Sequence, residues 1–269
     1  MTNELPSWMT EGAIKREPKA ENTSEGVVIA PLDEASSTES VATSYHDDLA
    51  GLQDAMQRDI RSWGKWLIGM GILHLIAAGK LDASWGVMLI LLGLVSFLFT
   101  SPSMYVVYAI TIAWAGVTNL IDAGLGWSLF ALFQFYLTFR IGKKYYFFRK
   151  AGLVEQELLA ATSKDGEKPL APRLFPWLGL VSSAFLLLGL VVLIGAAMVL
   201  YGYLEVSEDS LAATIWELAF GVVVSLAVVF WGVNLSSILS RYRPRFLSWL
   251  GLFFSSVTLG LFLLILLSP

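Results

Sequence analysis

An all-α integral membrane protein is the predicted fold class: seven transmembrane helices, four plus three, with the N-terminus inside and the C-terminus outside (N-in/C-out). Three observations predict it. Of the 269 residues, 56% are hydrophobic and 15% charged, against about 25% charged in soluble domains. Seven apolar stretches, near 62–79, 83–100, 103–121, 124–141, 176–202, 212–239 and 246–268, approach the roughly 17–25 helical residues that a bilayer core demands. Of 18 Lys and Arg residues, 17 fall in segments on one side of those stretches, and only Lys80 falls on the other. Positive charge collects on the cytoplasmic side, so that side is the inside.

Residues 1–59 carry twelve acidic and four basic side chains, a net charge of −8, whereas residues 60–269 are net +4. Residues 1–43 are rich in Glu, Ser, Thr and Pro, show no sustained period and have too little apolar surface to fold alone. They are expected to form a disordered acidic tail. No basic start followed by an apolar run opens the chain, so the tail is expected to stay in the cytoplasm. Trp8, in "LPSWMTEGAI", is a candidate anchor for a protein partner of this tail.

Residues 44–61 read as an amphipathic helix leading into the first span. Ser44 and Asp47 have capping-box spacing, and Leu49, Leu52, Met56, Ile60 and Trp63 follow every three or four residues. Its polar face is acidic (Asp47, Asp48, Asp54, Asp59), which disfavours an anionic bilayer surface. The apolar stripe is expected to pack on the protein's own cytoplasmic segments or on a partner.

Residues 62–141 form a four-helix transmembrane unit in this reading. The Ser-Pro-Ser turn at 101–103 separates spans two and three, because Pro102 opens a helix more readily than it continues one. A cytoplasmic linker, 142–175, follows with a short helix of its own in "GLVEQELLAA", and residues 176–269 make a three-helix unit. The run "RIGKKYYFFRKAG" at 140–152 directly follows span four and predicts contact with anionic lipid at the cytoplasmic face rather than nucleic acid.

"RLFPWLGL" at 173–180 and "RFLSWLGL" at 245–252 are near copies. Arg173 with Trp177 and Arg245 with Trp249 stand where two spans enter the membrane, as Arg61, Trp63 and Trp66 do for span one. Arg binds phosphates while indole sits at headgroup depth, so these seven residues are assigned as membrane-interface anchors.

Polar groups within spans are candidates for function. His74, Asn119, Asp122 and Glu217 fall in the outer halves of their spans and form the candidate polar pocket, while Gln134 and Asn234 are expected to join neighbouring helices. Several chemistries are absent from the sequence. There is no Cys, and of two His residues only His74 lies in a span, which removes thiolate and multi-histidine metal centres. The last span has no Lys for a retinal Schiff base, and neither a Gly-x-Ser-Gly turn nor a glycine-rich phosphate loop occurs. No cofactor and no catalytic residue are expected. The reading is a non-enzymatic membrane scaffold, assembly factor or accessory subunit that recruits a partner through its tail, in a bacterial cytoplasmic membrane. The alternative is a small-solute or ion transporter using the outer polar pocket.

Overall fold

The computed structural model describes residues 34–77, 80–121, 125–163, 169–202 and 211–267. Among the described residues there are eight helices and no strand. In chain order they are α1 (Glu34–Ala77), α2 (Lys80–Leu98), α3 (Met104–Ile121), α4 (Leu125–Lys150), α5 (Leu153–Thr162), α6 (Ala171–Gly202), α7 (Leu211–Leu239) and α8 (Arg245–Leu267). The chain divides into two compact units, Met1–Ser44 and Tyr45–Pro269. Of the first, Glu34–Ser44 is described and is helical; residues 1–33, which hold most of the expected tail, lie outside the described residues.

α1 begins at Glu34 rather than at Ser44. The stretch "EASSTESVAT" contains neither Gly nor Pro, so nothing in it forces a helix boundary at Ser44. Further along, Leu49, Met56, Ile60 and Leu67 are buried at helical spacing. They share one apolar core with Phe148 of α4, Leu153 of α5 and Phe175 of α6. Of the two surfaces expected for this stripe, it meets the protein's own.

α1 and α2 form an antiparallel pair closed by glycines. A Cβ added at Gly64 would lie 2.9 Å from the carbonyl oxygen of Gly93, and one at Gly71 would lie 2.6 Å from that of Gly86. Seven residues separate the glycines on each helix, so the same seam recurs two turns later.

α7 packs on α6 and α8 and also on α2 and α3. A Cβ at Gly221 would stand 3.0 Å from Ser84 Oγ, and one at Gly232 would stand 3.3 Å from Val107 Cα. Four-plus-three is therefore an order along the chain, not a division in space. Small residues on α7 bring the later helices against the earlier ones.

Around the apolar core, the placement of polar and apolar groups differs from that of a water-soluble bundle. Ser84, Ser96, Thr111, Gln134, Ser183, Asn234 and Ser255 are buried, while Phe185, Leu188, Val192, Met198, Phe253 and Leu264 are exposed. Polar groups face inward where they find partners, and large apolar groups face the solvent, as in lipid. Among the described residues three helical stretches are long and apolar enough to cross a membrane: Ala171–Val199, Leu218–Leu239 and Arg245–Ile265. These point to a membrane protein. The sequence predicts seven such stretches; Ser84–Leu98 and Met104–Leu120 are apolar but shorter, each bounded by the Ser101–Pro102–Ser103 turn.

Candidate functional site

The densest polar chemistry lies where the α2–α3 turn, the end of α4, α5 and the α7–α8 turn meet. Glu157 on α5 is its centre. Glu157 Oε2 accepts from Tyr242 OH at 2.6 Å and from Ser101 Oγ at 3.0 Å. Ser101 Oγ and Tyr242 OH are themselves 2.9 Å apart, and Ser103 Oγ lies 2.6 Å from the same phenol. The network continues from Ser103 Oγ to Ser240 Oγ at 2.8 Å and from Ser240 Oγ to Tyr145 OH at 3.2 Å. Ser236 Oγ donates to the Ser103 carbonyl at 2.8 Å.

Local backbone chemistry delivers each part. Just beyond α7, Arg241 lies in the left-handed region, at φ 59°. Arg241 N–H donates to the Ile238 carbonyl and Tyr242 N–H to that of Ser237, both within 3.1 Å. That paired capping turns the chain sharply and sends Tyr242 inward, with its ring edge-on to Phe175 at 6.0 Å between centroids. Between α4 and α5, Gly152 takes φ 85°, a value open to glycine at little cost. α5 then buries Leu153 and Val154, and the helical period carries Glu157 onto the same face.

Burial pushes the Glu157 carboxyl up from 4.5 to about 7, partly opposed by the hydrogen bonds from Tyr242 and Ser101. Burial, with the negative charge of Glu157 beside it, also raises the Tyr242 phenol well above its ordinary range, so it stays a donor.

A cavity of about 480 Å³ opens beside this network. Glu157 and Gln156 of α5, Gln53 and Gln57 of α1, Phe99 and Leu153 contribute to its wall. Both hydrogen bonds to Glu157 fall on Oε2, so Oε1 takes none from the described residues.

A second polar junction fastens α1 to the bundle. Lys144 Nζ of α4 contacts Asp59 Oδ1 at 2.6 Å and Oδ2 at 2.8 Å, and Tyr105 OH of α3 donates to Oδ2 at 2.7 Å. The Tyr105 ring is fully buried and stacks on Phe148 at 5.6 Å. The ammonium of Lys144 also lies 5.7 Å from the Trp63 ring centroid.

The residues singled out from the sequence are placed as follows. His74 Nδ1 lies 3.0 Å from the Met70 carbonyl, one turn back on its own helix. Asn119 Nδ2 donates to Gln134 Oε1 at 2.8 Å, joining α3 to α4. Asp122 and the side chain of Glu217 lie outside the described residues. Arg61, Arg173 and Arg245 are exposed, as are Trp177 and Trp249, whereas Trp63 and Trp66 pack partly into the core, edge to face at 5.6 Å.

The two copies of Trp-Leu-Gly-Leu converge on one side chain. Gly179 and Gly251, one from each copy, both press against Asn234 of α7, leaving no room for a Cβ at either. The fully buried Asn234 donates through Nδ2 to the Phe230 carbonyl at 2.9 Å and to Ser183 Oγ at 3.0 Å.

Sequence reasoning missed Glu157, Tyr242, Asp59 and Lys144 as partners. Glu157 did carry a signal, since it falls four residues after buried Leu153. Tyr242 sits in a turn between two arginines and carried none. No family model matches this chain, and neither does any curated protein or solved structure.

Proposed function

We propose that this chain is a seven-span, N-in/C-out scaffold or accessory subunit of a bacterial cytoplasmic membrane, without catalytic activity, which recruits a protein partner through its acidic N-terminal segment. The observation that carries this reading is the use to which polar side chains are put. Inside the bundle they join helices, as Asn119 joins Gln134, Asn234 joins Ser183 and Ser237 joins Ser248. Beside the basic segments they tie α1, α4, α5 and two turns into one body. A body so cross-linked supports a helix held for display.

The 17-to-1 bias of Lys and Arg supports the orientation, and the cluster Arg140, Lys143, Arg149 and Lys150 supports anionic lipid at that face. Transport through an outer pocket gains nothing from His74 or Asn119, which have partners of their own. The test is a pulldown in mild detergent with the full chain and with residues 1–33 deleted, which leaves α1 whole. The full chain should retain a partner that the truncation loses, with equal membrane insertion of both. An identical set of bound proteins would overturn recruitment by the tail.

A further inference from the structure

We propose that the cavity between α1, the α2–α3 turn, α5 and the start of α6 binds a small organic ammonium ion, with Glu157 Oε1 as its counter-ion. Among the described residues that line this cavity, Glu157 is the one ionisable group. Of the charges these residues present, a carboxylate is the complement of a cation and repels an anion.

The carboxyl is held for the purpose. Tyr242 and Ser101 grip Oε2, which fixes the orientation of the group and leaves Oε1 without a partner. Around it, the amides of Gln53, Gln57 and Gln156 line the cavity and make no side-chain hydrogen bond among the described residues. Leu98, Phe99 and Leu153 supply an apolar wall for a hydrocarbon portion. A few convergent polar groups over an apolar wall, within about 300–1,000 Å³, is the usual make-up of a small-molecule site.

Burial raises the Glu157 carboxyl to about 7. An ammonium at Oε1 reverses that shift, drawing the group to its charged state and releasing its proton to solvent. The same chemistry can come from a free amine or from the ethanolamine headgroup of a phospholipid.

The experiment uses the full chain in mild detergent with phenethylamine and with phenylacetate, which share a size and differ in charge. Calorimetric titration should show saturable binding of the amine and none of the acid. At pH 6, two buffers of different ionisation enthalpy should reveal proton release. Glu157→Gln should weaken binding about tenfold or more, the fold-change expected for losing a charge-assisted hydrogen bond. Ala160→Phe, placed on the exposed rim of the cavity, should weaken it with the network untouched, and it carries the test if Glu157→Gln fails to fold. Equal binding of amine and acid, or undiminished amine binding in either variant, would overturn the proposal. Lipid nanodiscs identify the source. Weaker apparent phenethylamine binding in discs containing phosphatidylethanolamine than in phosphatidylglycerol discs assigns the site to a lipid headgroup. Equal binding assigns it to a free amine, and either result upholds an ammonium site.

Discussion

Gly64 of α1 and Gly93 of α2 face each other so closely that neither can carry a side chain: a Cβ on Gly64 would lie 2.9 Å from the Gly93 carbonyl oxygen, and one on Gly93 would lie 2.6 Å from that of Gly64. The obstruction is backbone in both directions, so no rotamer change relieves it. Gly64→Ala and Gly93→Ala should each lower stability by about 1–3 kcal/mol, the range for overpacking a close contact. Gly69→Ala, on the same helix with nothing within 4 Å of its added Cβ, should be neutral or stabilising. Thermal midpoints in detergent check the contrast, and equal effects at Gly64 and Gly69 would dismiss the seam.

The half-buried Glu157 carboxyl predicts a pH dependence of definite sign. Glu157 titrates near 7 when folded and near 4.5 when exposed, so between those values the folded chain binds the additional proton. Among the described residues, the groups facing it are the Tyr242 phenol and the Ser101 hydroxyl, and no cation lines the cavity beside it. Stability from this residue is therefore full below about pH 4.5, falls as pH rises to about 7, and is level above, by up to ~3 kcal/mol in total. Glu157→Gln should flatten that decline, raising the midpoint relative to the parent at pH 8 more than at pH 5. An unchanged slope would mean that another group sets it.

Tyr242→Phe removes the hydroxyl that reaches Glu157, Ser101 and Ser103. A loss of about 1–3 kcal/mol is expected from leaving buried partners unpaired. Because the Tyr242 hydrogen bond holds the Glu157 carboxyl down, the decline of stability with pH should also move upward in this variant. Destabilisation without that displacement would uncouple the two residues.

Orientation is open to chemical labelling, since the chain has no Cys. Under the N-in/C-out proposal, Cys introduced at Ser207, in the acidic stretch "EVSEDS", should react with an impermeant thiol reagent in intact cells. Cys at Ser163 should react only after permeabilisation. The opposite pattern, or equal labelling, would remove the seven-span topology.

Arg241 occupies the left-handed region, at φ 59°, which costs an L-residue with a side chain on the order of 1 kcal/mol. Arg241→Gly should therefore be neutral or stabilising by up to about 1 kcal/mol, whereas Arg241→Val should destabilise through the turn that aims Tyr242. Thermal midpoints of the two variants should differ in that order.

Much of the fold was legible in the residues themselves because helices and their boundaries are local. The three- and four-residue recurrence of Leu49, Met56 and Ile60, the Ser-Pro-Ser turn and the linker helix around Glu157 each arise within a few positions of chain. The start of α1 was less legible: Ser44 can cap a helix, but the stretch before it contains no breaker, and the helix continues back to Glu34. The candidate site was scarcely legible. Tyr242 lies 85 positions from Glu157 in sequence and 141 from Ser101, and periodicity carries no information over such separations.

The sequence by itself determined that the chain is helical, apolar enough for a membrane, and asymmetric in charge, since these follow from composition and from the helical repeat. Tertiary structure decided which surfaces meet. The repeated Trp-Leu-Gly-Leu reads in one dimension as two membrane boundaries, but in three its glycines both press on Asn234. Glu157 reads as one more charge in a cytoplasmic linker, and becomes a half-buried, hydrogen-bonded acid only when two distant turns fold against it. Local backbone preference selects a helix residue by residue, whereas desolvation and hydrogen bonding of a side chain depend on neighbours that the chain supplies from afar.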